Sequence, residues 1–236
     1  MRVFHLILPL LMLFGCSGKV PQETVLTPLS EAEVTQALKD ALSRSIVLSA
    51  ASAGRTDAYF ANPQLKIELP EDADKLQNTL RKLGFAAEID RSVLQLNRAA
   101  ERAAASAKPV FIKAITSLSI DDPFELLNGG PDAATSYLID ESRDELHEQF
   151  RPIVSEALTE TSATRYYAAI VEHYNGLPLV YDVDPDLEDY ATEQALDGLF
   201  LLMAQEEARI RTLASSRSTR LMKRVFGSLD QVSLDE

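Results

Sequence analysis

The chain of 236 residues has no tryptophan, one cysteine and three histidines. A single cysteine excludes an internal disulfide and any thiolate metal cluster, although an oxidising compartment would permit disulfides. Once Cys16 is set aside, no thiol is left to act as a nucleophile. Bases are also scarce, at 23 Lys and Arg against 36 Asp and Glu. A formal charge of −13 excludes nucleic acid as a partner, because binding it depends on cations that neutralise phosphates. No Gly-x-Ser-x-Gly, no His-Glu-x-x-His and no glycine-rich phosphate loop occurs. These absences lead us to expect no catalysis and no cofactor.

What is present begins with a targeting segment. Arg2 precedes an apolar run from Val3 to Phe14, and Gly15 stands directly before Cys16. The run is too short for a transmembrane helix, which needs roughly 20 apolar residues. The ending Leu13-Phe14-Gly15-Cys16 resembles the bacterial lipobox, which implies diacylation of the Cys16 thiol, cleavage before it and N-acylation of the new terminus. Each buried CH₂ of such chains contributes ~0.8 kcal/mol, so the mature protein is expected to be membrane-anchored without spanning. Ser17 follows the lipidated position in place of the aspartate that marks inner-membrane retention in enteric bacteria. The expected location is the outer membrane of a Gram-negative envelope, facing the periplasm. Loss of Arg2 leaves 22 bases against 36 acids, a formal charge of −14.

Residues 17–29 contain Gly18, Pro21 and Pro28 without helical period and read as a tether. Thirteen residues reach at most ~45 Å, so the domain stays near its membrane. A helical domain is expected over 30–227, and a polar tail over 228–236. Ser30 and Glu33 form a capping box, with Leu29 and Val34 placed as a hydrophobic staple, and Val34, Ala37, Leu38, Ala41, Leu42 and Ile46 come next on one face.

Leu65, Ile67 and Leu69 alternate as in a short extended segment, and Leu179 to Val183 suggest a second. An alanine-rich helix over about 88–108 is expected at the centre, since small residues allow neighbours to approach. Ser142 and Glu145 make another capping box, and Pro152 should kink that helix or start a new one. The longest helix should begin near Asp184-Pro185 and run past Arg211. The predicted fold is therefore an irregular all-α multi-helix bundle with two short extended segments.

A set of ordered motifs runs through this domain. It comprises Asn62-Pro63 with Ile67-Glu68-Leu69-Pro70, Asn97-Arg98-Ala99-Ala100-Glu101, and Leu127-Asn128-Gly129-Gly130 before Asp132-Ala133-Ala134-Thr135. Phe150-Arg151-Pro152, Ala195-Leu196-Asp197-Gly198-Leu199-Phe200, Glu206-Glu207 and Val225-Phe226-Gly227 continue it. In these the chain resembles an uncharacterised bacterial lipoprotein family, domain of unknown function 4197. The resemblance implies no activity, ligand or catalytic residue. Ala58-Tyr59-Phe60-Ala61 stands where the family pattern leads one to expect a glycine.

Three groups of residues are candidates for binding. Asp182, Asp184, Asp186 and Glu193 occupy positions 1, 3, 5 and 12 of an EF-hand-like spacing, although Leu187 replaces the turning glycine. The competing reading has Asp184 or Asp186 cap the long helix and Pro185 begin it. Arg217, Arg220 and Lys223 belong to a block of six bases without acids over 208–229, after ten acids without bases over 166–208. The bases could meet lipid headgroups or an acidic partner, or pair with the acids inside the domain. Asn97, Arg98 and Glu101 could contact a ligand, or make buried hydrogen bonds that fix helix register. The leading expectation is a lipid-anchored module that binds an envelope protein; a small-ligand or metal carrier is the alternative, and an enzyme comes third.

Overall fold

A computed structural model describes residues 27–70 and 73–232. The signal segment, Cys16 and most of the expected tether lie outside the described residues. Among those described, nine α-helices and no strand are present.

Helix α1 (Glu31–Ala53) starts as its sequence dictates. The Ser30 hydroxyl accepts from the Glu33 N–H, and the Glu33 carboxylate accepts from the Ser30 N–H at 3.0 Å. Leu29 packs on the core to which Val34 belongs. A loop over 54–70 leads to α2 (Asp74–Lys82), and Gly84 comes after it at φ 96°, a left-handed conformation that glycine adopts without steric cost. Helix α3 (Ala86–Ala105) lies inside the bundle, as its alanines lead one to expect, though it shares that place with α1: it packs against five other helices, α1 and α2 among them, and buries Ala99, Ala100, Ala103 and Ala104.

Two short helices, α4 (Lys108–Ser117) and α5 (Pro123–Asn128), precede α6 (Ala133–Thr161), α7 (Ala163–Asn175), α8 (Glu188–Thr212) and α9 (Arg220–Val232). Helices α6 and α8 are antiparallel. Glu207 near the end of α8 meets Ala134 and Thr135 at the start of α6, whereas Glu188 at its beginning meets Arg151. Helix α1 lies against α8, and α9 packs along the first turns of α1.

The structure corrects several expectations. Ser142 is no cap; it is buried within α6, which runs through Pro152 without restarting. The exposed side of α6 accommodates that ring, so the helix loses one hydrogen bond and continues. The helix expected to be the longest begins at Glu188, with Pro185 outside it, and its 25 residues are fewer than the 29 of α6. Helix α9 extends through Gly227 to Val232, past the expected start of a polar tail.

The two predicted extended segments form no sheet. Each is held by one asparagine side chain. Asn97 accepts from the Ile67 N–H at 2.9 Å and donates to the Ile67 carbonyl at 2.7 Å. Asn175 does the same for Val183, at 3.0 Å in both directions. A carboxamide offers the donor and acceptor of a peptide group, so it completes the pairing that a neighbouring strand would give.

Candidate functional site

The first cluster is built on α3. Asn97 is fully buried and also donates to the Val93 carbonyl at 2.8 Å. One turn on, the Glu101 carboxylate accepts from the Tyr59 and Phe60 N–H groups at 3.1 and 3.3 Å. Arg98 bridges Glu101 at 2.7 Å and Asp57 at 2.6 Å. The three candidates therefore come together, but their polar atoms face the backbone and side chains of the 54–70 loop.

The loop is clamped from its other side as well. The Tyr59 hydroxyl donates to the Ala195 carbonyl at 2.8 Å, and its ring lies against Gly198, where a Cβ would stand 2.6 Å from the hydroxyl oxygen. Burial, with Asp197 and Glu101 nearby, holds this phenol protonated far above its usual range. Beside the loop a cavity of about 300 Å³ is lined by Arg55, Asp57, Asn62 and Leu202 among others.

The second cluster joins four elements near the end of α8. Glu207 accepts from the Ala134 and Thr135 N–H groups at 2.9 and 2.7 Å, capping the start of α6 with a carboxylate that the helix dipole favours. Arg211 donates to Glu207 at 2.8 Å and to the Leu127 and Leu126 carbonyls at 2.6 and 3.0 Å, closing the end of α5. Its guanidinium lies over the Phe226 ring. Arg217, offered by its charge as a headgroup ligand, is only 3% exposed. It donates to the Ile210 and Arg211 carbonyls and to both oxygens of Asp230, which fastens α9 to α8. A binding role for Arg217 is thereby withdrawn, since its donors are taken.

The metal candidates do not converge. Asp184 accepts from the Asp186 N–H and Asp186 from the Glu188 N–H, while Glu193 pairs with Arg143 on α6. Among the described residues no group of three or more His, Cys, Asp or Glu is arranged to hold a metal ion. Neither sequence reading of this stretch survives whole: Asp186 does bond the first N–H of α8, but Leu187 intervenes and Pro185 plays no part in starting the helix.

Features that sequence reasoning missed lie at the two ends of α8. Arg143, His147 and Arg151 form a ladder on α6, with Arg143 bridging Glu193 and Asp197, His147 Nε2 lying 3.3 Å from Asp189, and Arg151 on Glu188 at 2.7 Å. The i, i+4, i+8 spacing of those residues was readable. Acids of the 166–208 block thus meet bases of α6, and among the described residues pair with the block of bases after them only at the junction, Glu206 with Arg209 and Glu207 with Arg211. In the loop after α7, Leu179 adopts φ 63° and is wholly exposed at 104%, with Tyr181 at 85%. At the opposite end Arg224 pairs with Glu33 and donates to the Thr27 carbonyl at 2.8 Å. Arg220 and Lys223 remain exposed, and their side chains have no hydrogen bond or ion pair among the described residues.

These features define an all-α domain in which the polar motifs serve as internal clasps. The chain belongs to the family described as a protein of unknown function, DUF4197, whose model matches residues 28–227. No curated protein and no solved structure matches it.

Proposed function

We propose that the protein is lipid-anchored through Cys16, faces the periplasm from the outer membrane and works by holding an envelope protein, without catalysis. The observation that carries this reading is the loop between α7 and α8. Leucine at positive φ costs about 1–2 kcal/mol, and here it places the side chain entirely in solvent. Such strain repays nothing inside the fold, which is how functional contact points differ from packing residues. The Asn175–Val183 clasp fixes the loop's base, so Leu179 and Tyr181 are displayed in one place. Asp182, Asp184 and Asp186 flank them, which favours a partner surface that is apolar with a basic rim.

A photo-reactive residue at position 181, placed in the full chain in cells, tests this. The expected product joins the loop to one envelope protein at an apolar, Lys- or Arg-rimmed surface, and disappears in Leu179→Asp and in Cys16→Ala. Products that persist in Leu179→Asp would remove the loop from the interaction.

A carrier of a small cationic molecule is the second reading. A cavity of about 520 Å³ has Ile120, Leu126 and Tyr137 in its wall, together with Asp121, Asp122, Glu125 and Glu141. Its size suits a small ligand. Partial burial first, then Glu141 and Asp121, raise the Tyr137 hydroxyl above its ordinary range. A rise in melting temperature with organic amines, absent in Tyr137→Ala, would favour this reading over the first.

A further inference from the structure

Two segments of the chain are held in the same way, and the domain covers only one of them. Asn97 pairs with both backbone polar groups of Ile67, and Asn175 with both of Val183. In extended backbone the N–H and C=O of one residue point to one edge, and those of its two neighbours point to the opposite edge. Each asparagine therefore closes one edge of its segment and leaves the other to be filled from elsewhere.

Around Ile67 the domain fills it. Leu65, Ile67 and Leu69 are all buried, and the Glu68 carbonyl, on the edge away from Asn97, accepts from the Tyr190 hydroxyl at 3.0 Å. Around Val183 it does not. Of the alternating set Leu179, Tyr181 and Val183, the last alone is buried. From Val180 to Leu187 the backbone makes no helix, turn or bridge. Among the described residues the N–H and C=O groups of Asp182 and Asp184, on the edge away from Asn175, have no partner. Valine and tyrosine favour strands, and Pro178 and Pro185, which cannot donate to a ladder, bound the stretch on both sides. The open edge is thus confined to residues 179–184.

We infer that the partner offers an extended segment of its own chain, which adds as a strand along this edge. Its backbone bonds the outward groups of Asp182 and Asp184, and its apolar side chains cover Leu179 and Tyr181. The inference rests on the reading of this loop as the surface that holds an envelope protein, and adds the conformation of what is held. An open edge accepts any strand, including the same loop of a second copy. Charge decides between them. Two copies paired here would set Asp182 and Asp184 against the same acids, and like charges facing each other destabilise a ladder. A segment with Lys or Arg beside its apolar residues is favoured by those acids instead, so the occupant is a basic, apolar strand of another protein.

The test uses the full chain in cells, with a photo-reactive residue placed in turn at positions 180 and 182. Paired strands advance in step, so the two products should join partner residues two apart in one segment. Asp182→Pro removes an outward N–H and should reduce the product formed through position 181 roughly ten-fold, as expected when one hydrogen bond is lost and its acceptor stays unsatisfied. Asp182→Asn keeps that N–H and should retain more of the product. Hydrogen exchange at the Val183 N–H, which Asn175 holds, should be equally slow in the natural protein and in Asp182→Pro, so that the loss is not one of loop structure. Attachment points that are not two apart in one segment overturn strand addition whatever the variants do. A product undiminished in Asp182→Pro, or lost equally in Asp182→Asn, overturns it as well. No product from position 180, 181 or 182 removes the loop from the interaction altogether; that result overturns the underlying reading, and the strand with it.

Discussion

At the scale of single residues, a few side chains substitute for missing secondary structure. Asn97 is the clearest, because one carboxamide satisfies both polar groups of Ile67 inside the core. Asn97→Ala leaves those groups buried without partners and should lower stability by about 2–3 kcal/mol, measured by urea denaturation. Aspartate at the same position should do no better, since it cannot donate to the Ile67 carbonyl. Asp230 carries the acid sensitivity of the second cluster. Hydrogen bonding from Arg217 holds its carboxyl below the ordinary 3.8, so its contribution is complete above about pH 4 and fades as pH falls through the lowered value. Glu33, lowered by its bonds to Ser30 and by Arg224, loses its contribution in the same direction. In Asp230→Asn the acid limb of a melting temperature against pH curve should be shallower than in the natural protein, but not flat, because Glu33 still titrates.

At the scale of elements, the boundary between α6 and α7 is held by a strained residue. Ser162 closes one helix and opens the next at φ 61°, with no side-chain capping bond. Ser162→Gly should relieve that strain and raise stability by about 1 kcal/mol, visible as a few degrees in melting temperature. Elements also differ in how far their sequence discloses them. Helix α1 was legible because its start is entirely local, a capping box followed by a 3.6-residue apolar period. The alanines of α3 gave its central place, because small side chains have one common use along a packed helix. Ser142 and Glu145 misled because the same four-residue spacing that marks a cap also occurs in helix interiors, and only tertiary burial separates them. Alternation at Leu65, Ile67 and Leu69 pointed to strands, whereas the pairing partner was an asparagine thirty residues away. Asn97, Arg98 and Glu101 were recognisable as a group on one helix face; that they grip the protein's own loop depended on where that loop returns.

At the scale of the molecule, the charge blocks that adjoin in the sequence pair with each other, among the described residues, only at their junction, Glu206 with Arg209 and Glu207 with Arg211. Acids at the beginning of α8 pair with the α6 ladder, Arg211 and Arg217 are buried near its end, and Arg220 and Lys223 emerge on α9. Helix α8 thereby joins an acidic, apolar loop to a basic helix that clasps the start of the described chain. If the loop exists to be held by another protein, its strain is retained for contact and should be removable at a gain in stability. Leu179→Gly permits the same φ without the Cβ clash and buries nothing less, because the leucine contributes no packing. Relief of up to about 1 kcal/mol is expected, reduced somewhat by the greater freedom of glycine in the unfolded chain. The same substitution removes the exposed apolar side chain and should abolish the product formed through position 181. Stability that rises while capture is lost would mark Leu179 as a residue kept for function against the interest of the fold. A fall in stability would instead show that the loop tip packs on something within the domain, and the interaction surface would have to be sought elsewhere.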